Sequence, residues 1–333
     1  MAFTLCTIGC GSIATQAHGP SYVKYAAEHP ETVLAACCDL NAERAETFRA
    51  RFGFQRSYTD FAAMLEREKP DAVCLIAPVE LTCELACRVL ERGFPLMMEK
   101  PPGQSVEEID RMIAAADAAD APTQAAFNRR TMPLILRLRR LLETEVAPGA
   151  VRHLRIEFTR VGRSDPDFST TAIHGIDTAR FLAGSDYREI RFRYQPLPHL
   201  GKGVANVALD ALFQNGATGH LQFCPTAGET AERITVQADD QTFHLHLPIW
   251  GALDYPGRLR HLRKNDSLLD TSCEVAASGG EGFVVNGFYG EVAAFLDAVR
   301  AGARPTPDLK ESRQSVAVME SYRLREEWFR SVS

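Results

Sequence analysis

His174 has the neighbours from which chemistry could be built. Asp177 follows three positions later and Thr170 precedes it by four, spacings that on a helix bring side chains to one side. A histidine titrates near neutral pH, so with a carboxylate and a hydroxyl within reach it suits proton transfer. The same residue types also serve as caps and surface pairs, and Arg180 stands three residues beyond Asp177 as a ready ion partner. The helix that carries them can be read directly. Ser169, Thr170 and Thr171 offer N-cap hydroxyls, and Gly184 sits where a C-terminal glycine ends a helix. Ile173, Ile176, Ala179 and Leu182 recur at threes, an apolar stripe that seats the helix with His174 and Asp177 on a neighbouring face.

A second set of residues lies at the N-terminus. The apolar run Phe3–Ile8 leads into Gly9-Cys10-Gly11-Ser12-Ile13-Ala14, a G-x-G-x-x-A loop opening a helix expected over 13–28. Gly9 permits a tight turn, Gly11 lets the backbone approach a pyrophosphate, and Ala14 allows close packing of helix on strand. The first N–H groups of that helix, from Ser12 and Ile13 onward, then face the phosphates. A second strand, 33–38, ends in Asp39, where a dinucleotide fold hydrogen-bonds the adenosine ribose. Leu40, Asn41, Ala42 and Glu43 follow, with no arginine directly after the acid. Two nearby acids repel a 2′-phosphate, so NAD is favoured over NADP.

Composition narrows the class. A chain of 333 residues exceeds one typical core, which predicts two domains. With 45% hydrophobic and 24% charged residues it has the make-up of a soluble globular protein. A net charge of −6 gives no electrostatic reason to expect nucleic acid or an anionic membrane. The group Arg258, Arg260, Arg263 and Lys264 reads as a solvated loop. No apolar run approaches the roughly 18 residues of a membrane span, and the N-terminal apolar segment runs straight into the glycine loop, unlike a signal peptide. Nine cysteines without C-x-x-C spacing fit a reducing cytosol. Cys83 and Cys87 lack further ligands, so no metal is expected.

Strands and helices alternate up to residue 127. Helices are expected over 42–51, 60–68, 81–92 and 105–119, and strands over 72–77 (running into Ala77 and Pro78), 95–98 and 123–127. This predicts an α/β fold with a doubly wound parallel sheet over residues 1–127. Beyond Pro148-Gly149 the runs 151–161, 190–195, 204–213, 219–223, 233–237 and 242–247 are strand-like, interrupted by the His174 helix. They predict a second domain, residues 128–333, on a mainly antiparallel sheet. Residues 250–286 read as a long loop or arm, and two helices, 288–301 and 310–329, close the chain.

Together with Glu99-Lys100-Pro101, Phe127-Asn128-Arg129-Arg130 and the run Gly287-Phe288-Tyr289 through Phe295-Leu296-Asp297-Ala298, these motifs resemble the Gfo/Idh/MocA family of nicotinamide-dependent oxidoreductases over nearly the whole chain. The family's glycine loop matches Gly9–Ala14, followed by a histidine at His18. The resemblance implies a Rossmann domain, then an α/β domain whose open sheet often makes oligomer contacts, with the active site between them. It implies that Lys100 hydrogen-bonds the reacting hydroxyl and contacts the cofactor, with Ala77, Pro78 and Glu99 also on the cofactor. It implies that His174 transfers the proton. The I-H-x-I-D run is similar to the inositol dehydrogenase branch, where the residue matching Asp177 helps bind substrate. Two departures touch the proton relay: the family often has a carboxylate where Thr170 stands, and the loop after Pro78 lacks the usual histidine. Thr170 and Arg160 are further candidate substrate contacts, with Glu157 beside Arg160. Asn128 and Arg130 either touch cofactor or substrate, or cap the helix after Pro133.

The expected activity is therefore an NAD(H)-dependent dehydrogenase or reductase acting on a secondary alcohol of a sugar, inositol or sugar derivative. The expected assembly is a cytoplasmic homodimer or homotetramer, with no nucleic-acid or membrane partner. Two other readings fit the same motifs: a redox-neutral NAD-dependent glycosidase, and a non-catalytic dinucleotide-binding sensor. Asp39 and Glu43 carry a prediction of their own. NAD(H) should bind at least about tenfold more tightly than NADP(H), roughly 1.4 kcal/mol; equal affinities in a fluorescence titration would overturn it.

Overall fold

Short apolar strands separated by amphipathic helices can bury both strand faces only if the helices cover a parallel sheet on each side. The computed structural model, which describes residues 2–331, has this arrangement in its N-terminal part. The elements are β1 (Phe3–Ile8), α1 (Gly19–Glu28), β2 (Thr32–Cys38), α2 (Ala42–Phe52), β3 (Arg56–Tyr58), α3 (Phe61–Glu68), β4 (Ala72–Leu75), α4 (Val79–Leu90), β5 (Leu96–Glu99), α5 (Val106–Ala118) and β6 (Thr123–Ala126). The six strands pair in the order β3-β2-β1-β4-β5-β6, every pair parallel. Strand order reverses between β1 and β4, and in such sheets ligands bind at the carboxyl ends beside that point. Between the glycine loop and α1 the chain makes one π-helical turn, Ala14–His18. Helix signals in the sequence are carried out locally: Asn41, Asp60 and Ser105 accept N–H groups of the first turns of α2, α3 and α5.

The next elements are α6 (Pro133–Glu145), β7 (Val151–Thr159), α7 (Ser169–Ala183), β8 (Tyr187–Pro196), β9 (Ala205–Phe213), β10 (Thr218–Cys224), β11 (Ala231–Ala238), β12 (Gln241–His246), β13 (Arg258–Arg263), β14 (Asp266–Ser272), α8 (Glu274–Ala277) and α9 (Gly282–Val285). The chain ends with α10 (Phe288–Arg300), α11 (Leu309–Arg323) and β15 (Trp328–Arg330). Nine strands form one sheet, β14-β13-β12-β11-β7-β10-β9-β8-β15. Only β7 and β10 pair in parallel; the other neighbours are antiparallel. Strict alternation along β9 buries Val207, Leu209, Ala211 and Phe213 in a core shared with Ile176 and Leu182 of α7.

Several expectations are corrected. Residues 250–286 are not a structureless arm: β13 and β14 form a hairpin whose Lys264 and Asn265 both have positive φ, as a tight turn between twisted strands requires. The basic group Arg258, Arg260 and Arg263 therefore lies on a strand, with Leu259 and His261 buried between its members and Arg258 paired to Asp270 across the hairpin. The last helix stops at Arg323, and Phe329 pairs opposite Ile190 in an added strand. The domain division also differs. Contacts divide the chain into Met1–Asn128 with Gly287–Val316, and Arg129–Asn286 with Ala317–Ser333. Residues 287–316 join the first unit because Val292, Phe295 and Leu296 of α10 complete the core around Leu5, Tyr22, Tyr25 and Met97. Among the described residues no helix is long and apolar enough to cross a membrane.

Helix α7 lies close on its sheet at Gly175, where an added Cβ would stand 2.8 Å from the Phe223 ring. Gly175→Val should therefore cost about 1–3 kcal/mol through overpacking. A thermal-unfolding midpoint at or above that of the parent chain would contradict this close approach.

Candidate active-site elements

The glycine loop has the shape its residues predict. Gly9 has φ +96°, and a Cβ there would overlap the Ile76 carbonyl just beyond β4. A side chain is excluded both by the turn and by the neighbouring strand. Gly11 faces open space, with nothing within 4 Å of a notional Cβ, so a pyrophosphate could approach its backbone. Ala14 is fully buried beneath the turn, while Ser12 and Ile13 are exposed. Asp39 ties the second strand to this loop: its Oδ2 accepts the Cys10 N–H at 2.9 Å and its Oδ1 the Asn41 N–H at 3.0 Å. Arg44, absent from the sequence argument, reaches within 3.5 Å of Asp39 Oδ1 from the first turn of α2. The open backbone at Gly11 and the carboxylate beside it fit a dinucleotide. Ala77 is half-buried and Pro78 exposed at the end of the β4 segment.

Lys100 stands at the carboxyl end of β5 in this same sheet. Glu99, expected on the cofactor, is turned inward instead. Its Oε1 lies 2.7 Å from His18 Nε2 and its Oε2 accepts the Lys100 N–H at 3.0 Å. Burial acts to raise the Glu99 carboxyl, but the His18 hydrogen bond and the charges of His18 and Lys100 outweigh it and hold it below the ordinary carboxylate value.

In the second unit, α7 begins at Ser169. No hydroxyl of 169–171 caps it; Asp167 accepts the Ser169 N–H at 2.8 Å instead. Gly184 ends it in the left-handed conformation, as expected. Residues 172–180 are all buried, so that stretch has no free polar face, and Thr170 and Thr171 in the first turn are half-exposed. Asp177 is not primarily the partner of Arg180. Arg130 takes both its oxygens, Nε to Oδ2 at 2.7 Å and Nη2 to Oδ1 at 2.8 Å, while Arg180 Nη1 is 3.9 Å away and bonds Asp186 with Nε at 3.0 Å. This contact gives Arg130 a partner that neither reading of the sequence offered. Arg160, expected as a substrate contact, is turned onto buried Glu232 and the Thr159 carbonyl. Arg129 joins the same carboxylate at 2.7 and 3.1 Å. Asn128 is buried at the start of a short turn, 128–131, that ends the first unit's main segment.

The sequence reading missed His18 as the partner of Glu99, and Glu232 and Glu291 altogether. A signal existed for the two glutamates. Glu232 shares the inward register of Ile234 and Val236 on β11, and Glu291 falls on the stripe Phe288, Val292, Phe295 of α10. A charge at an apolar position must have a partner.

The buried Arg130–Asp177 pair yields a stability prediction. Asp177→Asn strands a buried guanidinium and should cost about 3–5 kcal/mol. Asp210→Asn, at the solvent-exposed contacts of Asp210 with Arg193 and His220, should cost under about 1 kcal/mol. Similar denaturation midpoints for the two variants would refute the distinction.

Comparison with known proteins agrees with this geometry. Residues 3–127 match the model of the oxidoreductase family with an NAD-binding Rossmann fold, GFO_IDH_MocA. The chain is 29% identical over 225 residues to D-apiose dehydrogenase of Rhizobium rhizogenes, covering 63% of this chain and 62% of that protein. It is 26% identical over 168 residues to levoglucosan dehydrogenase of Pseudarthrobacter phenanthrenivorans, covering 46% and 43%. The chain spans about half the length of the curated relatives it matches. In fold it is similar to a levoglucosan dehydrogenase solved in complex with NADH, with TM-score 0.83, 20% identity and 100% of both chains covered. The glycine loop, the Asp39 strand end and Glu99-Lys100-Pro101 all lie inside the matched stretch: residues 3–127 are an NAD-binding Rossmann domain of the Gfo/Idh/MocA oxidoreductase type.

Proposed function

We propose that the protein is an NAD(H)-dependent dehydrogenase or reductase acting on a secondary alcohol of a sugar, inositol or sugar derivative. The observation that carries this reading is the place of Lys100. It follows β5 at the carboxyl edge of the sheet whose β1 and β4 frame the glycine loop. Gly9–Ile13 and Asp39 would hold a dinucleotide at that edge, on the same side of the sheet as Lys100. Relatives named for levoglucosan and D-apiose support a carbohydrate substrate.

When bound, the nicotinamide supplies the acceptor or donor of hydride; the protein supplies binding, position and field. Oxidising a carbinol removes a hydride from carbon and a proton from oxygen. His174 takes that proton, and the Lys100 ammonium stabilises the negative charge that develops on the oxygen. Asp177 acts through the buried Arg130 pair to hold α7, and thus His174, in place. Thr170, a half-exposed residue in the first turn of α7, is proposed as a neutral substrate contact. The nine free thiols support a reducing cytoplasm as the place of work, and a homodimer or homotetramer completes the reading.

The test is a panel of sugars, inositols and sugar acids followed by NADH absorbance. With the substrate in hand, Lys100→Met and His174→Ala should each lower kcat by about 10² or more, and His174→Ala should leave NADH affinity little changed. Turnover close to the parent rate in either variant would remove the role assigned to that residue.

A further inference from the structure

The backbone of Lys100 is tied to the side chain of the residue before it. Glu99 folds its carboxylate back over its own peptide, accepting the Lys100 N–H at 3.0 Å, and the opposite oxygen meets His18 Nε2 at 2.7 Å. His18 is fully buried at the end of the π-helical turn that leaves the glycine loop. Its ring stands edge-on to Phe288, 5.5 Å between centroids, and 6.1 Å from Tyr22. A second carboxylate completes the group. Glu291, buried on α10, has a ligand atom within 4.8 Å of those of His18 and Glu99. Its own backbone carbonyl accepts Gln124 Nε2 at 2.9 Å, which ties α10 to β6, the neighbour of β5. All these residues belong to the first unit.

One histidine and two carboxylates are also a donor set for a divalent cation. The His18–Glu99 separation argues otherwise. At 2.7 Å it is a direct charge-assisted hydrogen bond, with the imidazole proton where a shared cation would sit.

We propose that His18, acting through Glu99, is a positioning residue for Lys100: it holds the carboxylate that fixes the Glu99–Lys100 turn. The consequence for catalysis rests on the role of Lys100 proposed above. Glu99 also attracts the lysine ammonium, and the attraction is mutual. The same carboxylate therefore aims the lysine and balances its charge. A displaced catalytic group is costly, since an error of about 1 Å can lower a rate by about 10²-fold.

His18→Gln keeps an N–H donor at similar reach, whereas His18→Leu removes it. The first readout needs no substrate: the ¹³C resonance of reductively dimethylated Lys100, located by its loss in Lys100→Arg and titrated with pH. His18→Leu should move the shift and midpoint of that resonance, and His18→Gln should restore most of both. With substrate, His18→Leu should lower kcat about tenfold or more while changing NADH affinity less than twofold, again with rescue by His18→Gln. If His18→Leu does not fold, His18→Asn, whose shorter side chain falls short of the Glu99 carboxylate, is read on the same two signals and should shift them in the same direction. A Lys100 resonance indifferent to these changes, or a His18→Gln as impaired as His18→Leu, overturns the proposal. So does about one equivalent of zinc or manganese that copurifies with the protein and is lost in Glu291→Gln. A resonance that follows His18 in a protein that oxidises no polyol upholds the positioning role and removes only the proposed function.

Discussion

A charge taken out of water must meet its opposite, and the second unit is arranged around that requirement. Arg129 and Arg130 are consecutive, yet they serve different elements: Arg129 joins Glu232 on β11 and Arg130 joins Asp177 on α7. Arg160, just beyond β7, shares Glu232. Because both carboxylates are buried, none of these arginines can let go without leaving an ion in a medium of low dielectric. The ends of α6, β7, β11 and α7 are thereby held in register where apolar packing alone would tolerate sliding. The Glu232 carboxyl, which burial would raise, is held low by the two guanidiniums.

Much of the architecture was legible in the sequence because its signals are local. The glycine loop, the alternation of β9 and the Gly184 stop each depend on a few adjacent residues and reappear as read. The failures have a common cause in distant partners. β13 was hidden because arginines on its solvent face mask the buried Leu259 and His261, and its hydrogen bonds come from β12 and β14. β3, three residues long, has no periodicity to show, and β15 is a strand only because β8 offers an edge.

The candidate site divides in the same way. Residue type and spacing marked His174, Gly9 and Asp39 as candidates, and the family resemblance added Lys100. They could not say what each side chain holds. Asp177 and Arg180, three apart, looked like a pair until Arg130, distant in sequence, took the carboxylate. Glu99 looked like a cofactor contact, and its two oxygens are spent on His18 and the Lys100 peptide. Three-residue spacing constrains helix neighbours, but a buried ion chooses its partner from the whole fold.

The return of residues 287–316 to the first unit has a consequence for biosynthesis. The parallel sheet leaves the ribosome early, but Val292, Phe295 and Leu296, which close its core, are made only after the intervening segment 129–286. At about 5–20 residues per second the unfinished core waits roughly 8 to 30 seconds. During that interval the nascent chain presents Tyr22, Tyr25 and their neighbours uncovered, a surface on which a chaperone could dwell until α10 arrives to displace it.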